Sequence, residues 1–180
     1  MATIVNERYA LSLYEAARDE EKVSEILDQF TAVAEAVRET PEFLKMLQAP
    51  AIAFEDKKKL LQEAFSGKLD PYLLNFLMLI TEKRRVGGML EMHEAYKQRY
   101  YNENGICEVI ATTAVSLDDV LTGKLSVKLE KITGKKVILR TRVNPSILGG
   151  IIIKIGNDQI DTSVKSRLAE LTQKMTQIIA

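Results

Sequence analysis

Tryptophan is missing from this chain, and cysteine and histidine occur once each. A single cysteine, Cys107, rules out an internal disulfide and any multi-cysteine metal site, which suits a reducing compartment. A single histidine, His93, cannot supply the ligand set of a zinc site, where the metal needs at least three protein ligands. There is no excess charge of either sign: 25 basic residues face 25 acidic ones, and the isoelectric point is near 6.6. A free-standing nucleic-acid binder would carry a basic surplus to neutralise phosphates. Long apolar runs are also missing. Leu73–Ile80 is the longest cluster and Asn75 breaks it, far short of the ~20 residues that span a bilayer. Met1–Ala10 shows no charged segment followed by an apolar run, so no signal peptide is expected.

What is present is enough apolar material for a core. Hydrophobic residues make up 46% of 180, which excludes wholesale disorder and allows one large domain or two small ones. In the first half their spacing is helical. Val23, Ile26, Leu27, Phe30, Ala34 and Val37 follow i, i+3, i+4, i+7 and share one helix face. Thr40 before Pro41 and Asp70 before Pro71 read as helix starts, with proline at the first position, where a missing N–H costs nothing. Gly67 reads as the end of a helix carrying Leu60, Leu61, Ala64 and Phe65, and Met89, Met92, Tyr96 and Tyr100 form another stripe. The pattern predicts six helices joined by short turns, a bundle.

The period changes near Asn104-Gly105. Cys107, Val109, Ala111 and Val115 alternate with Glu108 and Thr112 as in a strand. Ser116 with Asp119 resembles a capping box for a helix carrying Leu117, Leu121, Leu125, Leu129 and Ile132, which Gly134 can end. Strands are predicted over Val137–Val143, Ile151–Ile155 and Gln159–Asp161, with Gly156-Asn157 as a hairpin turn. Val164, Leu168, Leu171, Met175 and Ile178 make a last amphipathic helix. The expected fold is therefore α+β: a six-helix bundle over residues 1–104, then a small α/β domain of order β-α-β-β-β-α over 105–180. The linker is placed at Asn102–Gly105.

Each motif that could carry chemistry is incomplete. His93-Glu94-Ala95-Tyr96-Lys97 begins like a zinc-protease helix, but Lys97 stands where the second histidine belongs, so His93 reads as a helix-surface residue. Thr133-Gly134-Lys135-Lys136 ends like a phosphate loop without its leading glycine or closing Ser/Thr. Gly149-Gly150 with Gly156 lacks dinucleotide spacing and enters a strand. Asp158 and Asp161 suit a turn and a helix start. Cys107 sits where a strand begins and, like most isolated cysteines, reads as a small hydrophobe rather than as half of a nucleophilic pair with His93. No catalytic residue, cofactor or metal ligand is assigned. Lys57-Lys58-Lys59 reads as a solvated helix face, and Lys83-Arg84-Arg85 as cations at a helix C-terminus. An adaptor that uses these two runs to bind nucleic acid, or to regulate, is the alternative function.

Two helices carry more apolar surface than one core face needs. In the fifth, Tyr72, Leu73, Leu74, Phe76, Leu77, Met78, Leu79 and Ile80 cover nearly the whole circumference. In the first, Val5, Tyr9, Leu13 and Ala16 make one stripe, and Ile4, Leu11 and Tyr14 another. Either all of this is core, or a groove between helices one and five receives an amphipathic helix of another chain.

At this point the ordered motifs resemble a known family. Arg8-Tyr9-Ala10, then Asn75-Phe76-Leu77 with Glu82 and Arg85, are similar to the first- and fifth-helix motifs of the delta subunit of bacterial F-type ATP synthase. The mitochondrial relative of that subunit is the oligomycin-sensitivity-conferring protein. Thr113-Ala114 with Leu117, Thr133-Gly134-Lys135, Gly149-Gly150-Ile151 through Ile155-Gly156, and Ile160-Asp161-Thr162-Ser163-Val164 follow in order. Thr162 departs from an expected glycine, and Ser12-Leu13 from small alanines.

The resemblance implies a non-catalytic stator connector present in one copy, held on the cytoplasmic face of the cell membrane through the complex without inserting. It implies two partners: N-terminal helices of the alpha subunits for the helical half, and C-terminal ends of the peripheral-stalk b subunits for the α/β half. The residues that fall on the alpha-binding groove are Tyr9, Leu13, Leu74, Leu77 and Ile80. For the stalk they are Leu168, Leu171 and Met175.

Overall fold

The punctuation in the sequence sets where the helices begin and end. In the computed structural model, which describes residues 4–65, 67–156 and 158–179 with side chains through Thr172, helix α5 (Pro71–Glu82) starts where Asp70 caps it. Asp70 Oδ1 accepts the Tyr72 N–H at 2.8 Å, satisfying one of the donors a helix start leaves open. Before it come α1 (Ile4–Asp19), α2 (Val23–Glu39), α3 (Pro41–Gln48) and α4 (Phe54–Phe65); a 3-10 turn (Val86–Gly88) and α6 (Met89–Glu103) follow. Gly67 after α4 has φ +72°, the left-handed region that glycine enters freely. Thr40 does precede α3, but its side chain makes no capping hydrogen bond. Pro41 alone provides the start signal there.

The chain divides into two compact units between Tyr100 and Tyr101, in the last turn of α6. In the first unit, α5 packs against both α1 and α4. That position explains why α5 is apolar nearly all round: Leu73, Phe76, Leu77 and Ile80 enter the core, Leu74 and Met78 are half-buried, and only Tyr72 and Leu79 face outward. The centre is aromatic. Phe30 meets Phe76, Tyr96 and His93 edge-on, with ring centroids 5.8, 6.3 and 5.2 Å away. Such edge-to-face pairs add about 0.5–1.5 kcal/mol beyond the area they bury. The Tyr96 hydroxyl donates to Val23 O at 3.1 Å, so the ring is buried without stranding its polar end.

Packing departs from the sequence pattern at three places. The face of α1 that meets the core is Ala10, Leu13, Tyr14 and Ala17, whereas Val5, Tyr9 and Ala16 lie at its margin. His93 is not a surface residue; it is 4% exposed, inside the aromatic cluster. Lys57 is not part of a solvated face. It is buried, and its ammonium donates to Ala49 O at 2.6 Å, at the C-terminal end of α3. A carbonyl at a helix C-terminus draws a cation inward, and charge counting along the sequence cannot see that.

The second unit is a four-stranded sheet with helices. Strand β1 (Ile106–Thr113) pairs in parallel with β2 (Lys136–Val143) and antiparallel with β3 (Ile151–Ile155), which pairs antiparallel with β4 (Asp158–Asp161). The spatial order is β2-β1-β3-β4. Parallel neighbours cannot be joined by a tight turn, and α7 (Asp119–Thr133) makes the crossover. Asp118 is its cap, accepting the Leu121 N–H at 2.7 Å, in place of the Ser116/Asp119 box. Gly134 ends it with φ +66°. Leu125 and Leu129 pack on Val109, Val137, Leu139, Ile153 and Ile155, all on one sheet face by alternation. The other face carries Glu108, Arg140, Arg142 and Lys154, with Arg140 Nε 2.6 Å from Glu108 Oε1.

The last helix, α8 (Val164–Ile179), starts from a tight corner. Asp161 accepts the Ser163 N–H at 2.8 Å and the Ser166 hydroxyl at 2.7 Å. The Ser163 side chain and N–H, and then the Ser166 hydroxyl, hold its carboxyl below the usual range. Thr162, at the position where the family resemblance leads one to expect glycine, donates its hydroxyl to Ile151 O at 2.8 Å. The constraint falls instead on Gly150. It has φ +77°, and a Cβ there would sit 2.4 Å from Thr162 O.

Candidate partner-binding surfaces

At the margin of the first unit, α1 leaves a cleft of about 490 Å3. It is lined by Ile4, Val5, Arg8, Tyr9, Ser12 and Arg85. Ile4 is 78% exposed, although an isoleucine gains about 1.5–3 kcal/mol when buried. Among the described residues two arginines and no carboxylate line the cleft, which therefore joins apolar side chains to positive charge. Helix spacing generates the arrangement: Ile4, Val5, Arg8, Tyr9 and Ser12 are successive i, i+1, i+4, i+5 and i+8 positions on α1. Arg85 follows the end of α5, where its N–H closes the helix on Ile80 O at 2.7 Å.

Of the groove candidates, Tyr9 lines this cleft. Leu13, Leu77 and Ile80 do not. They are 4%, 1% and 0% exposed, packed into the core because α5 lies against α1 and α4 and uses most of its apolar circumference there. Leu74 is half-buried and outside the cleft lining. Sequence reasoning missed Ile4, Val5, Arg8, Ser12 and Arg85 as lining residues. The available signal was the second stripe on α1 through Ile4 and Leu11, both exposed.

The second unit shows a different surface. Val164, Leu168 and Leu171, at i, i+4 and i+7 on α8, are all exposed, Leu168 by 51% and Leu171 by 57%. The side chain of Met175 lies outside the described residues. On α7, Val120, Leu121, Val127 and Ile132 are exposed as well, opposite or flanking the Leu125–Leu129 edge that meets the sheet. Among the described residues, the buried apolar core of this unit is small: Val109, Ala111, Leu129, Val137 and Ile147. These side chains give the unit an exposed apolar surface on α7 and α8.

His93 and Cys107, the two residues weighed as a nucleophilic pair, lie in different units. Thr31 Oγ1 donates to Leu27 O at 2.8 Å, so at 2.9 Å from His93 Nε2 it accepts, and the imidazole proton sits on Nε2. Nδ1 is then a buried lone pair without a donor. Burial holds the imidazole pKa below its ordinary value. Cys107 is half-buried and unpaired. Among the described residues no group of three His, Cys, Asp or Glu could hold a metal, and no helix is long and apolar enough to cross a membrane. Burial of Lys57 also breaks up the Lys57–Lys59 run, which leaves less of a basic patch than the sequence suggested.

Comparison with known proteins gives a consistent answer. The family model described as ATP synthase delta (OSCP) subunit matches residues 5–175. The ATP synthase subunit delta of Alkaliphilus metalliredigens is 31% identical over 179 residues, covering 99% of both chains. That of Gloeobacter violaceus is 37% identical over 179 residues, 96% of this chain and 94% of its own. A chain in the cryo-EM structure of the Toxoplasma gondii mitochondrial ATP synthase hexamer superposes with a TM-score of 0.77 over 99% of both chains. At 21% identity that match speaks for the fold.

Proposed function

This chain belongs to the ATP synthase delta (OSCP) subunit family, and we propose that it is the non-catalytic stator connector of that complex. It is a subunit of an enzyme complex and carries no reaction of its own. In this reading the helical unit holds N-terminal helices of the alpha subunits, and the α/β unit holds the C-terminal ends of the b subunits in the peripheral stalk. One copy ties the catalytic head to the stalk on the cytoplasmic face of the membrane. Ion-driven rotation then does work on the catalytic sites instead of turning the whole head. The mechanism is mechanical, with no bond made or broken in this chain.

The observation that carries the reading is the pair of unlike surfaces on separately packed units. An amphipathic helix could lay its apolar stripe on Ile4, Val5 and Tyr9 while an acidic residue beside that stripe meets Arg8 or Arg85. Leu168 and Leu171 offer the stalk a purely apolar stripe. The domains are thus assigned one to each partner, divided near Tyr100–Gly105.

Surface substitutions in the full chain separate the two joints. Ile4→Asp with Tyr9→Asp should weaken alpha-subunit capture at least about a hundredfold and leave b capture unchanged, since each removes an apolar anchor worth about 2 kcal/mol. Leu168→Glu with Leu171→Glu should do the reverse. Purified alpha and b subunits titrated against each variant supply the measurement. Loss of both partners from either variant, or of neither from both, contradicts the assignment.

A further inference from the structure

A second cavity in the helical unit, on the other side of the Arg84-Arg85 pair from the cleft, has the makings of a ligand site. It holds about 280 Å3 and is bordered by the end of α3, the start of α4 and the turn that follows α5. Lys57 lines it while being 8% exposed. Its ammonium has one hydrogen bond among the described residues, to Ala49 O at 2.6 Å, and forms no ion pair with a carboxylate. An ammonium has three donors, so two are left to point elsewhere, and Lys57 lines the cavity. A buried charge without a counter-charge is costly, and an incoming anion would relieve it.

The surroundings add further donors. Arg84 lines the same cavity. Its left-handed backbone, φ +56°, comes from the closing turn of α5, where Arg84 N–H bonds Thr81 O at 3.0 Å and Arg85 N–H bonds Ile80 O at 2.7 Å. That turn sends Arg84 to this cavity and Arg85 to the cleft. The Gln48 side-chain amide also lines the space and lies over Gly87, where a Cβ would stand 2.8 Å from Nε2. One carboxylate, Glu82, borders the cavity too, but its side chain is half-exposed and paired with Lys83 at 3.4 Å.

We propose that this cavity binds a small oxyanion, held between the Lys57 ammonium and the Arg84 guanidinium with the Gln48 amide as a third donor. The test uses the full-length chain with inorganic phosphate, acetate and chloride at matched ionic strength, followed by amide chemical shifts. Phosphate or acetate should saturate, moving resonances at residues 48–57 and 81–87, with chloride inert. Saturation by phosphate alone identifies a phosphate-type ligand, and by acetate also a carboxylate-type one. Lys57→Met keeps the apolar stem and should weaken binding at least about tenfold, as loss of a charged hydrogen-bond donor does. Should circular dichroism show that variant unfolded, Arg84→Gln, altered at an exposed residue, decides by the same shift in affinity. A wild-type response no greater than that to chloride overturns the proposal. So does a folded variant that binds like wild type. No partner subunit takes part, so failure here leaves the connector role untouched.

Discussion

Protonating His93 would place an N–H at Nδ1, where no acceptor among the described residues is in reach, and a positive charge inside an aromatic cluster. Burial is the dominant influence on its pKa. Around it, Glu94 and Glu35 favour the charged form while Lys97 and Arg38 oppose it, and the net shift is downward. A histidine with a depressed folded pKa binds its proton more readily in the unfolded chain. The neutral ring's contribution to stability is therefore complete above the unfolded value near 6.5 and erodes as pH falls below it, until the folded value is reached. Unfolding free energy of the full chain should accordingly decline as pH falls below about 6.5, with an extra slope of up to about 1.4 kcal/mol per pH unit. His93→Phe should remove that extra slope. Urea titrations at stepped pH would show it, and identical pH profiles for wild type and variant would contradict the buried, neutral imidazole.

Among the elements, α5 depends most on a single residue outside its own span. Asp70 caps it through the Tyr72 N–H, accepts Lys22 Nζ at 2.9 Å, and offers its own N–H to Gln29 Oε1 at 2.6 Å. One carboxylate thus ties the start of α5 to the start of α2. Burial raises the Asp70 pKa, but the hydrogen bonds with Lys22 and Tyr72 and the Lys22 charge outweigh it, and the net shift is downward. Asp70→Ala should cost about 1–2 kcal/mol, the upper range for a lost N-cap, and Asp70→Asn less because the cap acceptor survives. Equal denaturation midpoints for Asp70→Ala and wild type would mean the cap contributes nothing.

Signals of this local kind are what made the elements legible. Proline and capping residues at Asp70-Pro71, glycine at 67 and 134, and the switch from helical to alternating spacing were readable because each acts over a few residues. Which side of a helix faces a neighbour is decided by packing at long range. Leu13, Leu77 and Ile80 look like surplus apolar surface in the sequence, and only the placement of α5 against α1 and α4 shows where they go. His93 and Lys57 were misread for the same reason: the Thr31 hydroxyl and the Ala49 carbonyl that receive them lie 62 and 8 positions away. Arg85 was visible as part of a motif, but its share in a cleft with α1 was not.

At the scale of the whole molecule, the proposed role has two unlike surfaces on one chain join two parts of a machine. A joint that outlasts many rotor steps needs slow dissociation, which corresponds to about nanomolar affinity, near −12.3 kcal/mol. A helix in a groove reaches that at the standard ~1,600 Å2 of total buried area only if a few anchors are well packed. Ile4, Val5 and Tyr9 can serve at one end and Leu168 and Leu171 at the other. The most direct test restores membranes depleted of this subunit with either the full chain or a chain ending at Gly105. ATP hydrolysis and hydrolysis-driven ion pumping are then recorded side by side. A connector predicts hydrolysis in both preparations and pumping only with the full chain, because the head stays capped but loses its hold on the stalk. Equal pumping from the two would contradict it.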